Sequence, residues 1–173
     1  MNRVLAIFLL AVFTLLIEPL LLEIIPFLGT TSPEFALITI LYIAHGVKGS
    51  LARGAAASLG LGYLMDLYTG APIGMHAFVF VLLYFLARLI SAKIYGISLI
   101  TQALFGAVFS VLCGLIIISL EKWLNPVHHS WVLLEYIPKQ ALVTGLFSPV
   151  YFYIIWKLDR LVSYETSPEG VFK

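Results

Sequence analysis

Three acidic side chains stand inside stretches of sequence that are otherwise almost wholly apolar: Glu18 and Glu23 in the first such stretch and Asp66 in the third. An unpaired carboxylate in hydrocarbon is costly, so residues of this kind are the first places to look for function. Glu18 and Glu23 are five positions apart, which puts them ~140° apart around a helix and denies them a shared face for acid–base work. Glu18 precedes Pro19, which lacks a backbone donor and can bend a helix; Glu18 is expected to make either a buried partner contact or a structural pair within the chain. Glu23 is expected to snorkel toward the nearer interface. Asp66 stands in a pattern. Ser58, Gly62 and Asp66 recur every four residues and fall on one helical stripe, with Ala52, Ala56 and Gly60 forming a second stripe beside it. Small side chains let backbones approach closely, which is how helices associate where burial against lipid gives little drive. The two stripes are therefore expected to pack against the chain's own helices, against a partner, or one against each. Asp66 is followed by a turn, Leu67 to Gly74, in which Gly70 and Gly74 permit unusual backbone angles and Pro72 can start a helix. A carboxylate at a helix C-terminus opposes the dipole, so Asp66 is expected to cap this turn or meet a partner.

Other chemistry-bearing residues lack workable spacing. His128 and His129 are adjacent and on an extended chain point in opposite directions, which suits a solvated loop better than joint metal binding. His45 and His76 have no second ligand three or four residues away. The single cysteine, Cys113, lies in an apolar run, so it forms no disulfide within the chain and no cysteine-based zinc site. Neither a nucleophile elbow, a zinc-protease helix, a phosphate-binding loop nor a dinucleotide fingerprint is present; Gly60-x-Gly62 stops after its first pair. No catalytic residue, metal or cofactor is expected.

The elements that must position Asp66 and Glu18 follow from composition. Of 173 residues, 61% are hydrophobic and 11% charged, with a mean hydropathy of +1.04. That leaves too little polar surface to cover a water-soluble core, so the bilayer is the expected solvent. A net charge of +1 offers no footprint for nucleic acid. Apolar runs cut at glycine, proline and charge give six segments: Val4 to Phe27, Phe35 to Ala44 with its flanks, Leu51 to Leu67, Ile73 to Ile90, Ile97 to Leu120 and Trp131 to Leu158. The second is only about half a bilayer-spanning length and is either a short span or re-entrant. Fusing it with the third would place Lys48 and Arg53 mid-helix at ~2.5–3.5 kcal/mol each, so two helices joined by the turn at Gly46 to Ser50 are expected. The expected fold is an all-α polytopic membrane protein of six transmembrane helices: one domain over residues 1–161 and a short cytoplasmic tail, 162–173.

Orientation follows the basic residues. Arg3, Lys48, Arg53, Arg88, Lys93, Lys157, Arg160 and Lys173 fall on one side of a six-span arrangement, leaving Lys122 and Lys139 on the other. Cytoplasmic loops retain Lys and Arg, so both termini are expected in the cytoplasm. The first segment is too long for a signal h-region of ~7–15 residues and reads as an uncleaved anchor. Glu34, Asp66, Glu121 and Glu135 lie at or near the outer ends; Lys139-Gln140 are expected to pair with an acid such as Glu135, Pro138 and Pro149 to kink the last helix, and Trp123, Trp131 and Trp156 to anchor at interfaces.

The stretch Gly62 to Ala77, with Asp66, Gly70, Pro72 and Gly74 between, resembles the signature of the bacterial rod shape-determining protein MreD family, approximately G-x-x-x-D-x-x-x-G-x-P-x-G-x-x-A. The likeness extends to length, to a basic glycine-containing inner turn, and to a Pro33-Glu34 entry to the short second span, where that family usually has Pro-Asp. The resemblance implies a non-enzymatic, multi-pass component of the bacterial inner membrane that serves cell elongation and peptidoglycan synthesis. It implies association with MreC and, through it, with MreB filaments, RodA and the elongation transpeptidase. The family is also similar in fold to the substrate-binding S components of energy-coupling-factor transporters. That likeness supplies the alternative, a vitamin-like substrate-binding subunit in which Glu18, Asp66 and His76 would converge on a ligand.

Overall fold

The structure is a computed structural model that describes residues 3–24, 31–46, 51–91, 98–124 and 131–165. Those residues form six α-helices and no strand: α1 (Arg3–Ile24), α2 (Phe35–Gly46), α3 (Leu51–Thr69), α4 (Met75–Ser91), α5 (Leu99–Leu124) and α6 (Trp131–Glu165). Each of the six apolar segments corresponds to one helix, and α2 and α3 are separate, as the position of Lys48 and Arg53 requires. Two helices differ from the sequence expectation in an informative way. α4 starts at Met75 rather than Ile73 because Pro72 to Gly74 belong to the turn that Asp66 holds. α6 continues to Glu165, so residues 162–165, expected to begin a polar tail, are helical.

The shortest helix is the centre of the bundle. Every residue from Phe35 to Ala44 is buried, and α2 packs against all five other helices. Such a helix has no outward face, which is why its sequence is apolar all round. At 12 residues it is about 18 Å long. Around it, α3 and α4 form one antiparallel hairpin and α5 and α6 another. The second hairpin is closed by small residues: a Cβ added to Gly106 would run into the Ser148 side chain, and one at Gly145 would lie 2.9 Å from the Ala107 Cβ.

Contacts between helix ends show an up-and-down arrangement. At one end the start of α1 meets the last third of α6, where Arg3 Nε donates to Asp159 Oδ1 at 2.7 Å and the Tyr42 hydroxyl of α2 donates to Asp159 Oδ2 at 3.2 Å. Arg88 on α4 donates to the Ala44 carbonyl at 2.8 Å at the same end. The opposite end carries Asp66, Glu18 and Glu34. Removing the Asp159 carboxylate leaves a partly buried guanidinium and a buried phenol without their acceptor. Asp159→Ala is expected to cost about 2 kcal/mol, read as a lowered thermal midpoint in detergent, whereas Asp159→Glu should recover part of the loss.

The outward surface is apolar. Leu9, Phe13, Leu16, Leu59, Phe78, Leu104, Leu142 and Leu146 are exposed, while Thr39, Ser58, Ser110, Thr144 and Ser148 are buried. Polar groups inside and large apolar groups outside reverse the order found in water and fit a lipid solvent. α5 and the stretch Leu134–Val162 of α6 are each long and apolar enough to cross a membrane, and α2 and α4 are shorter apolar helices. Trp123 is 80% exposed, and Trp156 lies under the Arg160 guanidinium, 4.4 Å from its ring centre, a placement that suits an interface.

Candidate functional site

The α3–α4 hairpin is organised by Asp66. Its side chain is 1% exposed and accepts three hydrogen bonds of 2.8 Å: from the backbone N–H of Gly74 to Oδ2, from the backbone N–H of His76 to Oδ1, and between Oδ1 and His76 Nδ1. Two of the donors are N–H groups at the start of α4, which lack an intrahelical acceptor. The carboxylate at the end of α3 thus caps the next helix, and its charge meets the positive end of the α4 dipole. Gly70 and Gly74 have φ of 67° and 98°, the left-handed region in which a side chain is strained. Pro72 closes the turn by accepting from Met75 N–H at 3.1 Å. Of the two roles expected of Asp66, the cap on the glycine–proline turn is the one its hydrogen bonds describe. His76, ten residues away, is a partner that no short-range spacing signals.

The two small-residue stripes of α3 part company. On the first, Ser58, Gly62 and Asp66 are all buried. A Cβ on Gly62 would lie 2.6 Å from the Ala77 nitrogen and 2.7 Å from the His76 carbonyl carbon, so glycine is what lets the α3 and α4 backbones touch. The Ser58 hydroxyl donates back to the Gly54 carbonyl at 2.9 Å, a buried hydroxyl satisfied within its own helix. On the second stripe Ala52 and Ala56 are exposed, and only Gly60 faces a neighbour, the Phe8 ring of α1, 3.1 Å from where its Cβ would be. The first stripe builds the protein; on the second, Ala52 and Ala56 remain on its outside.

Glu18 is buried near Ser32. Among the described residues no hydrogen bond joins it to Asp66 or His76, whose carboxylate and ring bond each other. A further carboxyl, the half-buried Glu34, was not legible as a site from the sequence. Glu34, just before α2, sends Oε1 to the Gln140 amide of α6, which donates to it at 2.9 Å. Its backbone N–H donates to the Thr144 hydroxyl at 3.2 Å. Gln140 is therefore occupied by Glu34 rather than Glu135, and Lys139 lies over the Tyr136 ring, 5.9 Å from its centre. The pairing spans 106 positions, and no local pattern encodes it. The Glu23 side chain and His128 and His129 lie outside the described residues. Among the described residues no group of three or more His, Cys, Asp or Glu is placed to hold a metal ion.

The geometry is that of a packed helical membrane body with a rigid, carboxylate-capped hairpin and one face of small residues turned outward. The comparisons with curated proteins and with solved structures return no match. A family model does match, over residues 1–156, and it is described as rod shape-determining protein MreD. It covers the whole bundle except the end of α6, and it includes the Gly62, Asp66, Gly70, Pro72, Gly74 and Ala77 series that carried the resemblance. The chain belongs to the MreD family of rod shape-determining proteins, membrane proteins of the bacterial cell-shape system.

Proposed function

We propose that this protein is a non-enzymatic scaffold of the cell-elongation complex that holds the membrane helix of an MreC-like protein against the outward stripe of α3. The observation that carries the reading is the exposure of Ala52 and Ala56 on the same helix whose other stripe is consumed internally. A partner helix can approach an alanine face closely and gain packing that lipid does not provide. In this reading all six helices cross the inner membrane as a single domain over residues 1–161, in a fold like that of the transporter S components. The Arg3 end and both termini are cytoplasmic, with 162–173 as the tail. Through the MreC-like protein the complex reaches MreB, RodA and the elongation transpeptidase. The charge placement supports that orientation, because Arg3, bonded to Asp159, and Arg88, bonded to the Ala44 carbonyl, lie at one end while Lys122 and Lys139 stand near the α5–α6 connection at the other.

The alternative, a vitamin-like substrate-binding subunit, has less support. It drew on Glu18, Asp66 and His76 converging on a ligand, and Asp66 is fully used by Gly74 and His76. The scaffold reading is tested by co-purification from membranes with Ala56→Leu. The variant is expected to insert and to keep its thermal midpoint, since the position is exposed, while recovery of the MreC-like protein falls at least tenfold. Undiminished recovery with Ala56→Leu would remove α3 from the interface.

A further inference from the structure

Along α6 the exposed side chains change character in order. Leu142, Leu146 and Val150 are exposed and apolar, Tyr153 and Trp156 are exposed aromatics, and Lys157 and Arg160 are exposed cations. Their spacing of three and four residues puts them on one face of the helix. Leu146 and Tyr153 are ~10 Å apart along the axis, and Lys157 and Arg160 follow within the next ~6–10 Å. That is the sequence of acyl chain, interface and headgroup met on crossing one leaflet. The two cations have no acid. Asp159, next to Arg160 in the chain, is buried and faces inward, accepting from Arg3 at Oδ1 and from Tyr42 at Oδ2. Among the described residues neither Lys157 nor Arg160 has an ion pair or a hydrogen bond from its side chain. Arg160 is nevertheless held in place: its guanidinium lies over the Trp156 ring, 4.4 Å from the centre, and that ring packs against Tyr153 with centroids 5.8 Å apart.

We infer that this face of α6 binds an anionic phospholipid, whose phosphate meets Arg160 and Lys157 and whose acyl chains lie along Leu142, Leu146 and Val150. A guanidinium stacks on an aromatic ring and still offers its N–H groups to a phosphate in pairs. Lys157 adds a second positive charge one turn away. A zwitterionic headgroup carries its own cation and is poorly matched to two unpaired ones, whereas an anionic headgroup complements them. The inference requires that α6 cross the bilayer, for which its stretch Leu134–Val162 is long and apolar enough, and it is independent of what docks on α3. Lys157 and Arg160 lie past the residues that the family model matches, so the site is read from this chain's own residues.

The test uses the full-length protein with Trp123→Phe and Trp131→Phe, which leaves Trp156 as the sole tryptophan. It is reconstituted in phosphatidylcholine vesicles that carry a small fraction of either phosphatidylglycerol or phosphatidylcholine brominated on the acyl chain, since bromine quenches a tryptophan it touches. Brominated phosphatidylglycerol is expected to associate at Trp156 at least about fivefold more strongly than brominated phosphatidylcholine. Arg160→Ala should lose most of that preference and Lys157→Ala part of it; both positions are exposed, so both variants are expected to fold. Arg53→Ala removes the same charge from an exposed position at the same end of the bundle and should keep the preference. Equal quenching by the two lipids, a preference that survives Arg160→Ala combined with Lys157→Ala, or one that Arg53→Ala abolishes equally would overturn the proposal. If inorganic phosphate or polyglutamate abolished the preference at the ionic strength of a chloride control, the face would belong to a soluble anion or an acidic protein, and the proposal would fall.

Discussion

Asp66→Ala is expected to lower stability by about 4 kcal/mol, the largest effect of any single polar substitution in this protein. The variant leaves two N–H groups of the first turn of α4 facing a cavity instead of an acceptor, and a buried donor left unsatisfied costs about 1–3 kcal/mol. It also removes a carboxylate from the positive end of a helix dipole and strips His76 of its partner. Asp66→Asn restores one acceptor but turns an amide N–H₂ toward one of the same donors, so it should recover less than half of the loss. Thermal unfolding of the two variants beside the wild type reads both numbers, and Asp66→Ala within 1 kcal/mol of the wild type would show that the turn holds without its cap.

Gly62→Leu is expected to prevent formation of the native bundle. The neighbours of the added Cβ are backbone atoms of His76 and Ala77, which cannot rotate aside as a side chain would, and overpacking already costs ~1–3 kcal/mol where rearrangement is possible. The α3–α4 hairpin would have to separate, and with it the turn that Asp66 closes. Even Gly62→Ala should lower the thermal midpoint clearly, because the clash begins at Cβ. The expected readout for Gly62→Leu is loss of a monodisperse peak in detergent, not loss of a partner from an intact protein. Ala56→Leu, six positions earlier on the exposed stripe, should remain monodisperse. From the sequence the two substitutions look equivalent, both placing a large residue on a small-residue stripe. If Gly62→Leu gave a native, stable protein, the close approach of α3 to α4 would be wrong.

That contrast marks what the sequence can and cannot convey. Six helices were legible because each is apolar and each is bounded by glycine, proline or charge. The Asp66 turn was legible because Gly70, Pro72 and Gly74 punctuate it locally. Which stripe of α3 faces inward was not, since lipid and protein interior are both apolar and hydrophobicity carries no sign that separates them. The same loss of contrast hid the central position of α2: its uniform composition announces burial but not what surrounds it. It also hid the pairing of Glu34, just before α2, with Gln140 of α6, two polar groups 106 positions apart in the chain. The Glu34 side chain reaches across to α6. Start and end points shifted where a tertiary contact overrode local preference, as when Asp66 drew Ile73 and Gly74 out of α4.

The central claim, that the outward stripe of α3 is the surface that holds the MreC-like protein, is tested most directly by photocrosslinking in living cells. A benzophenone amino acid placed at position 52 or 56 samples that stripe, and at position 104 or 146 samples the exposed face of the α5–α6 hairpin. The account predicts adducts with the MreC-like protein from 52 and 56 and none from 104 or 146. Adducts from 104 or 146 with none from 52 or 56 would contradict it.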